Sequence, residues 1–291
     1  MRVSELLLAA GIEVLEVHAE VEVEGLALLN NDAACAVVSF AEKEHYLENV
    51  SENVKMILAP RELVPMILSK GKGVCVVERP RWNFFMFHNY LVEHVAEYVK
   101  QEKRTVIGNN CRISASAKIA KKNVVIGNNV VIEDNVVIFE NTTIEDDVVV
   151  HAGAIIGGEG FECKNNGEIT FSVRHAGSVI LERGCEVQYN TCIDKAVYTW
   201  DSTKIGQYSR LDNLVHVGHA IKIGKRNMLA AGSIIGGRTV TGDDVWIGIG
   251  ATVCNGLHIG DRARIDIGSV VLKDVDADCE VFGNPARVIK K

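Results

Sequence analysis

Two histidines stand three residues apart in the stretch Arg210-Leu211-Asp212-Asn213-Leu214-Val215-His216-Val217-Gly218-His219, with a carboxylate and an amide just upstream. A neutral imidazole is the usual general base near neutral pH, because its unperturbed pKa of about 6.5 lies close to working conditions. Asp212 or a nearby carbonyl would orient such a ring. Metal ligation by the same pair is the competing chemistry, but on an extended chain residues three apart project in different directions, and no metal is expected. A second group is Phe40 and Tyr46. Two aromatic faces can sandwich a flat base, and each stacked ring is worth roughly 1–3 kcal/mol; the plainer reading makes them core and rim of a small domain.

The elements that must position these groups follow from a repeat. An aliphatic residue, or a Thr in its place, returns at every sixth position through Leu181, Val187, Ile193, Thr199, Ile205, Leu211, Val217 and onward to Val271. A helix repeats at 3.6 and a strand at 2, so a sustained six marks a coil of short strands and turns whose sixth side chains fill one internal stack. That is a parallel β-helix. With three strands per coil, residues eighteen apart lie one above the other, which places Lys204 over Lys222. The pair is either a solvated charged face or a contact for a phosphate or an acidic carrier. The same period runs upstream from Ile107 to Ile156 with one extra residue after Ile119. Gly follows the aliphatic position repeatedly, as at Gly108, Gly127, Gly157, Gly206, Gly224 and Gly260, where a corner would use its tolerance of unusual dihedrals. Residues 157–180 break the frame and are expected to loop out.

Residues 1–103 show no six-fold pattern and mix helical stretches (Val3 to Ala10, Leu91 to Lys100) with short buried strands at Cys35 to Phe40, Lys55 to Ala59 and Gly73 to Val77. They predict a small α/β domain, followed by the β-helix over 104–273 and a short tail, 274–291, in which Phe282 to Arg287 turns away from the stack. The aromatics Trp82, Phe84, Phe85, Phe87 and Tyr90 follow Pro80 at roughly helical spacing and read as packing.

Composition narrows the function. A hydrophobic fraction of 47% is ample for a core, and no stretch is long and apolar enough to span a bilayer. With no secretion signal after Met1, a cytoplasmic location is expected. The net charge of -7 argues against nucleic acid as a partner. The 8 cysteines form no C-x-x-C pair and read as reduced, mostly buried thiols.

Four segments together carry a resemblance: Leu211 to His219, Thr191-Cys192-Ile193-Asp194, the loop opening Gly158-Glu159-Gly160-Phe161, and Ser39-Phe40…Tyr46. The chain resembles the bacterial UDP-3-O-acylglucosamine N-acyltransferases of lipid A biosynthesis, within the hexapeptide acyltransferases, over both domains in the same order. The resemblance implies a left-handed β-helix, a homotrimer with sites in clefts between subunits, and a nucleotide-linked amino sugar as acceptor. It implies His219 as general base, Gly237 as the backbone N–H donor to the carbonyl oxygen, and Phe40 and Tyr46 as the pair flanking uracil. Asn213 and His216 fall in the same block and are expected at the acceptor; Lys204 and Lys222 are expected at the donor. No bound cofactor is implied, because the donor is a thioester, acyl carrier protein or acyl-CoA. Where the family has Asn-Pro before the second aromatic this chain has Lys43-Glu44, and Gly283 to Ile289 is similar to the ending of coenzyme A-dependent sugar acetyltransferases. The other classes to separate are a CoA-dependent nucleotide-sugar N-acetyltransferase, an inert hexapeptide scaffold, and a metal hydratase drawing on His151, His175, His216 and His258.

Overall fold

The computed structural model describes residues 1–290. The chain forms two compact units, and the smaller takes Met1–Gln101 together with Phe161–Ala176 and Tyr198–Trp200. Its strands are β1 (Glu16–His18), β2 (Gly25–Leu26), β3 (Val37–Phe40), β4 (Val54–Ala59) and β5 (Gly73–Val76), in the order β1-β5-β4-β3-β2. All pairs are parallel except β1 with β5. The expected strands are therefore present as β3, β4 and β5. Of the two expected helices, the first is α1 (Val3–Ala9); after α2 (Val64–Ser69), α3 runs Pro80–His94 and replaces the helix expected over Leu91 to Lys100. Pro80 sets the start of α3, its fixed φ suiting the first helical position. Phe84, Phe85, Phe87 and Leu91 are then buried along it, so the aromatic run is packing, as its spacing suggested.

The excursion expected at 157–180 is shorter: Ile155–Gly158 and Ser178–Leu181 are strands of the β-helix, and Phe161–Ala176 belongs to this small unit. A hairpin of Cys163–Asn165 against Thr170–Ser172 leads to Arg174, whose carbonyl lies 2.9 Å from His88 Nε2. A carbonyl only accepts, so Nε2 carries the proton and Nδ1 accepts from the Tyr98 hydroxyl at 2.9 Å. His88 is fully buried, and the loss of hydration drives its pKa down to about 4, against the opposing effect of the Arg174 carbonyl. A histidine whose folded pKa is depressed stabilises the fold above its unfolded pKa and loses that contribution as pH falls. Between pH 6.5 and 4 the small unit should lose roughly 3 kcal/mol by this route. Urea unfolding followed by tryptophan fluorescence should show a steeper fall over that window in the parent than in His88→Gln, which cannot titrate.

The larger unit holds Glu102–Gly160, Gly177–Val197 and Asp201–Lys291. Three parallel sheets of 10, 8 and 8 strands, one carrying an antiparallel last strand, wrap a continuous aliphatic column. Ile126 lies beside Ile144 and Ile132 beside Val150, eighteen residues apart, so each coil is one turn of three strands. One position in the six-fold reading is corrected. Leu181 lies beside Ile205, twenty-four residues on, so this coil carries six additional residues. Thr199 falls in that addition, outside the column: Trp200 Nε1 donates to Leu26 C=O at 2.9 Å and Tyr198 stacks on Trp200, both within the small unit.

Of the six glycines expected at corners, Gly157 alone has a positive φ, 81°. Gly108, Gly127, Gly206, Gly224 and Gly260 do not sit in the left-handed region; a Cβ on Gly108 would lie 2.5 Å from Gly127 C=O, and one on Gly224 2.1 Å from Gly242 C=O. Close approach of successive coils excludes side chains there. The left-handed corners are instead taken by residues such as Asn129, Asp147, Arg226 and Asp244. The tail does not leave the stack: Glu280–Gly283 pairs with Arg264–Ile265, and Ala286–Lys290 turns back antiparallel on it. All eight cysteines are free; only Cys75, Cys185 and Cys279 are buried, fewer than expected. No helix is long and apolar enough to cross a membrane among the described residues.

Candidate active site

Cys192–Asp194 and His216–Val217 are neighbouring strands of one β-helix sheet, with Cys192 beside His216 and Ile193 beside Val217. Ile193 and Val217 point into the aliphatic column. Alternation along a strand then turns Asp194 and His216 outward on the same face. Their side chains approach to 3.7 Å between Asp194 Oδ2 and His216 Nε2. Asp194 is nearly buried, and desolvation raises its carboxyl pKa; the charges of His216 and His219 act in the opposite direction.

His219 stands at the corner after that strand, and its C=O accepts from the Arg238 N–H at 2.9 Å. Its ring lies against Gly237 on the next coil, where a Cβ would come within 2.7 Å of Nε2 and 3.0 Å of Cε1. Gly237 is thus glycine because an imidazole occupies the space. The coil-to-coil bonds on either side use the Gly236 N–H, to Val253 C=O, and the Arg238 N–H. Among the described residues the Gly237 N–H meets no acceptor. The structure brings together His219, Gly237 and His216, three of the residues singled out in the sequence, and adds Asp194.

Asp212 is corrected. Its two oxygens accept the Asn213 N–H at 2.7 Å and the Ala231 N–H at 3.0 Å, which ties one coil to the next. The carboxylate that faces the histidines is Asp194, 3.7 Å from His216. Asn213 likewise serves the turn, its Oδ1 accepting the Tyr189 N–H at 3.1 Å. Lys204 does lie beside Lys222, as the spacing predicted. The pair offers no bare positive patch, however, because Lys204 is bonded to Glu182 at 2.6 Å and Lys222 to Asp201 at 2.6 Å. For the hydratase reading, His151 sits between Glu133 and Glu186 at 3.1 and 3.0 Å. No group of three His, Cys, Asp or Glu is placed to hold a metal among the described residues.

In the small unit, Phe40 is half-buried, with ring centroids 5.0 Å from Phe84 and 5.9 Å from Phe85. Tyr46 is 51% exposed on the short turn of helix Glu44–Leu47, its ring 4.1 Å from that of His45. Phe40 therefore has a supported back and a partly open face, and Tyr46 is free to meet a ligand.

No protein-family model matches the chain. A UDP-3-O-acylglucosamine N-acyltransferase of Campylobacter lari is 31% identical over 318 aligned positions, which take in 100% of this chain and 94% of that protein. This chain belongs to the UDP-3-O-acylglucosamine N-acyltransferase family. The protein of that name from Helicobacter hepaticus is also 31% identical, covering 91% of this chain and 85% of its own length. A Caulobacter relative reaches 38% identity over 144 residues, 50% of this chain and 42% of that protein. The shared name is that of an acyltransferase, which sets aside the scaffold and hydratase readings. Among solved structures, the UDP-N-acetylglucosamine acyltransferase of Campylobacter jejuni superposes with a TM-score of 0.55 at 22% identity, over 63% of this chain and 69% of that one. That likeness concerns the fold, the left-handed parallel β-helix preceded here by a small α/β unit.

Proposed function

We propose that this UDP-3-O-acylglucosamine N-acyltransferase family member moves an acyl group from a thioester, acyl carrier protein or acyl-CoA, to the amine of a nucleotide-linked amino sugar in lipid A synthesis. The observation that carries the reading is the carboxylate–imidazole–glycine arrangement of Asp194, His219 and Gly237. A sugar amine with a pKa of about 8 is largely protonated at neutral pH, so it first gives one proton to solvent and attacks as the free amine. His219 takes the second proton from the nitrogen as the new C–N bond forms. The carbonyl oxygen becomes an oxyanion, and the Gly237 N–H, which meets no acceptor among the described residues, donates to it. Asp194 stabilises the imidazolium in a poorly hydrated setting. Collapse of the tetrahedral intermediate breaks the C–S bond, and the imidazolium returns its proton to the leaving thiolate. The thioester is already activated, so the scheme requires neither a metal nor an acyl-enzyme. His216, across from Asp194, lies at the acceptor, and Phe40 and Tyr46 flank the base of the nucleotide.

A homotrimer in the cytoplasm is part of the same proposal, and light scattering of purified protein tests the trimer. The activity itself is tested by incubating the enzyme with a panel of amino-sugar nucleotides against acyl-CoA and acyl carrier protein donors and weighing the products. An amide-linked acyl sugar nucleotide is the expected product; transfer to a hydroxyl, or no transfer from any thioester, would sink the reading. Which donor is used separates the lipid A step from the CoA-dependent alternative.

A further inference from the structure

Side chains at the corners of the β-helix bond one coil to the next. Asp146 Oδ1 accepts the Asn128 N–H at 2.6 Å, Asp243 Oδ1 the Lys225 N–H at 2.8 Å and Asp261 Oδ1 the Asp243 N–H at 2.8 Å, each eighteen residues back. The corner that carries His219 keeps the same interval, with Gly237 and then Asn255 following it. Asn255 lies over the two glycines: the Gly256 N–H donates to Gly237 C=O at 2.9 Å, and a Cβ on Gly236 would come within 2.8 Å of Asn255 Cα. By the pattern of the other corners, Asn255 Oδ1 would take the Gly237 N–H. It does not. Oδ1 accepts the Cys254 thiol instead, at 3.4 Å and within its own coil, and the Gly237 N–H meets no acceptor among the described residues. Asn255 is exposed, and its Nδ2 likewise meets no acceptor among them.

An amide whose oxygen is held by a thiol presents its NH2 group elsewhere. Two open N–H donors therefore stand on successive coils of one corner, beside the His219 ring that lies against Gly237. Successive coils are about 4.8 Å apart, and two donors at that separation, each about 2.9 Å from one oxygen, subtend about 110° at it. An oxygen gaining negative charge profits most from such a pair, because both donors are in place before the charge appears. We propose that Asn255 Nδ2 is a second donor to the oxyanion of the tetrahedral intermediate, alongside the Gly237 N–H, and that Cys254 positions it by holding Oδ1; the inference rests on the acyl-transfer reading above and adds a catalytic residue to it.

Steady-state rates of the full-length parent, Asn255→Ala and Asn255→Asp, taken per folded protein with the thioester that the parent uses, test it. Asn255→Ala should lose about a hundredfold in kcat, the scale of one oxyanion donor, with KM for both substrates within about threefold of the parent. Asn255→Asp separates catalysis from structure. Its carboxylate still accepts the Cys254 thiol, so a merely structural role would leave the parent rate. As an oxyanion site, however, it exchanges a donor for a negative charge, and the carboxylate can take the Gly237 N–H as Asp146, Asp243 and Asp261 take theirs. Asn255→Asp should therefore turn over more slowly than Asn255→Ala while melting no lower than the parent. Cys254→Ala should lose less than Asn255→Ala, and Cys254→Ser, whose hydroxyl can donate to Oδ1, should recover that loss. Should Asn255→Ala keep kcat within about threefold of the parent, or Asn255→Asp be the faster of the two, Asn255 is no oxyanion donor while the acyl-transfer reading stands. Should the parent transfer no acyl group from any thioester, the role of Asn255 and the acyl-transfer reading both fail.

Discussion

His219→Ala is expected to lower turnover by roughly two to four orders of magnitude, the usual scale for a lost general base, with the melting temperature unchanged. The imidazole sits at a corner rather than in the aliphatic column, so its removal leaves the core of the coil intact. The remaining rate would come from binding and from the Gly237 N–H. The substitution should depress kcat more than it raises KM, since the proton transfer occurs on the way to the transition state. Asp194→Asn offers the companion result. It keeps the shape and removes the charge facing the histidines, which disfavours the protonated imidazole. The acid limb of the pH–rate profile should then move to lower pH while turnover on the plateau falls. Measured kcat for His219→Ala within threefold of the parent would take this residue out of the mechanism.

The fold was legible because a coil of three short strands forces every sixth side chain into one column, and aliphatic residues, with Thr241 among them, fill it as far as Val271. The eighteen-residue stacking of Lys204 on Lys222 came from the same logic. What misled was an insertion that kept the beat. Tyr198–Trp200 lie in an added six residues, and six preserves the period, so the frame passed through Thr199 unbroken while the true neighbours shifted. By a uniform coil the strand beside His216 would end near residue 198; it is Cys192–Asp194. Asp194 was thereby hidden, and the carboxylate nearest in sequence, Asp212, stood in for the one that faces the histidines. On a β-coil the residue beside a side chain is its counterpart on the next turn, while sequence neighbours along one turn point elsewhere. The same distinction explains the lysines, whose partners Glu182 and Asp201 sit on coil positions that the six-fold count does not align.

Two adjacent glycines give the sharpest test of how the site is built. Gly236 and Gly237 both exclude a side chain, but for different reasons, and alanine should separate them. A Cβ on Gly236 would lie 2.5 Å from the Asn255 backbone N, part of the next coil. No rotamer change relieves that contact, so Gly236→Ala should push two coils apart and cost about 1–3 kcal/mol of stability, the range for overpacking. The nearest atoms to a Cβ on Gly237 would be those of the His219 ring, 2.7 Å away at Nε2, and a ring at a corner can swing away. Gly237→Ala should therefore melt close to the parent yet lose about a hundredfold or more in kcat, because the base no longer points where the amine must stand and a misplacement of 1 Å is enough for a loss of that order. Thermal melts and steady-state rates on the two variants decide the matter. If Gly237→Ala retains the parent kcat, the packing of His219 against the next coil has no part in catalysis, and the base is positioned by something other than this contact.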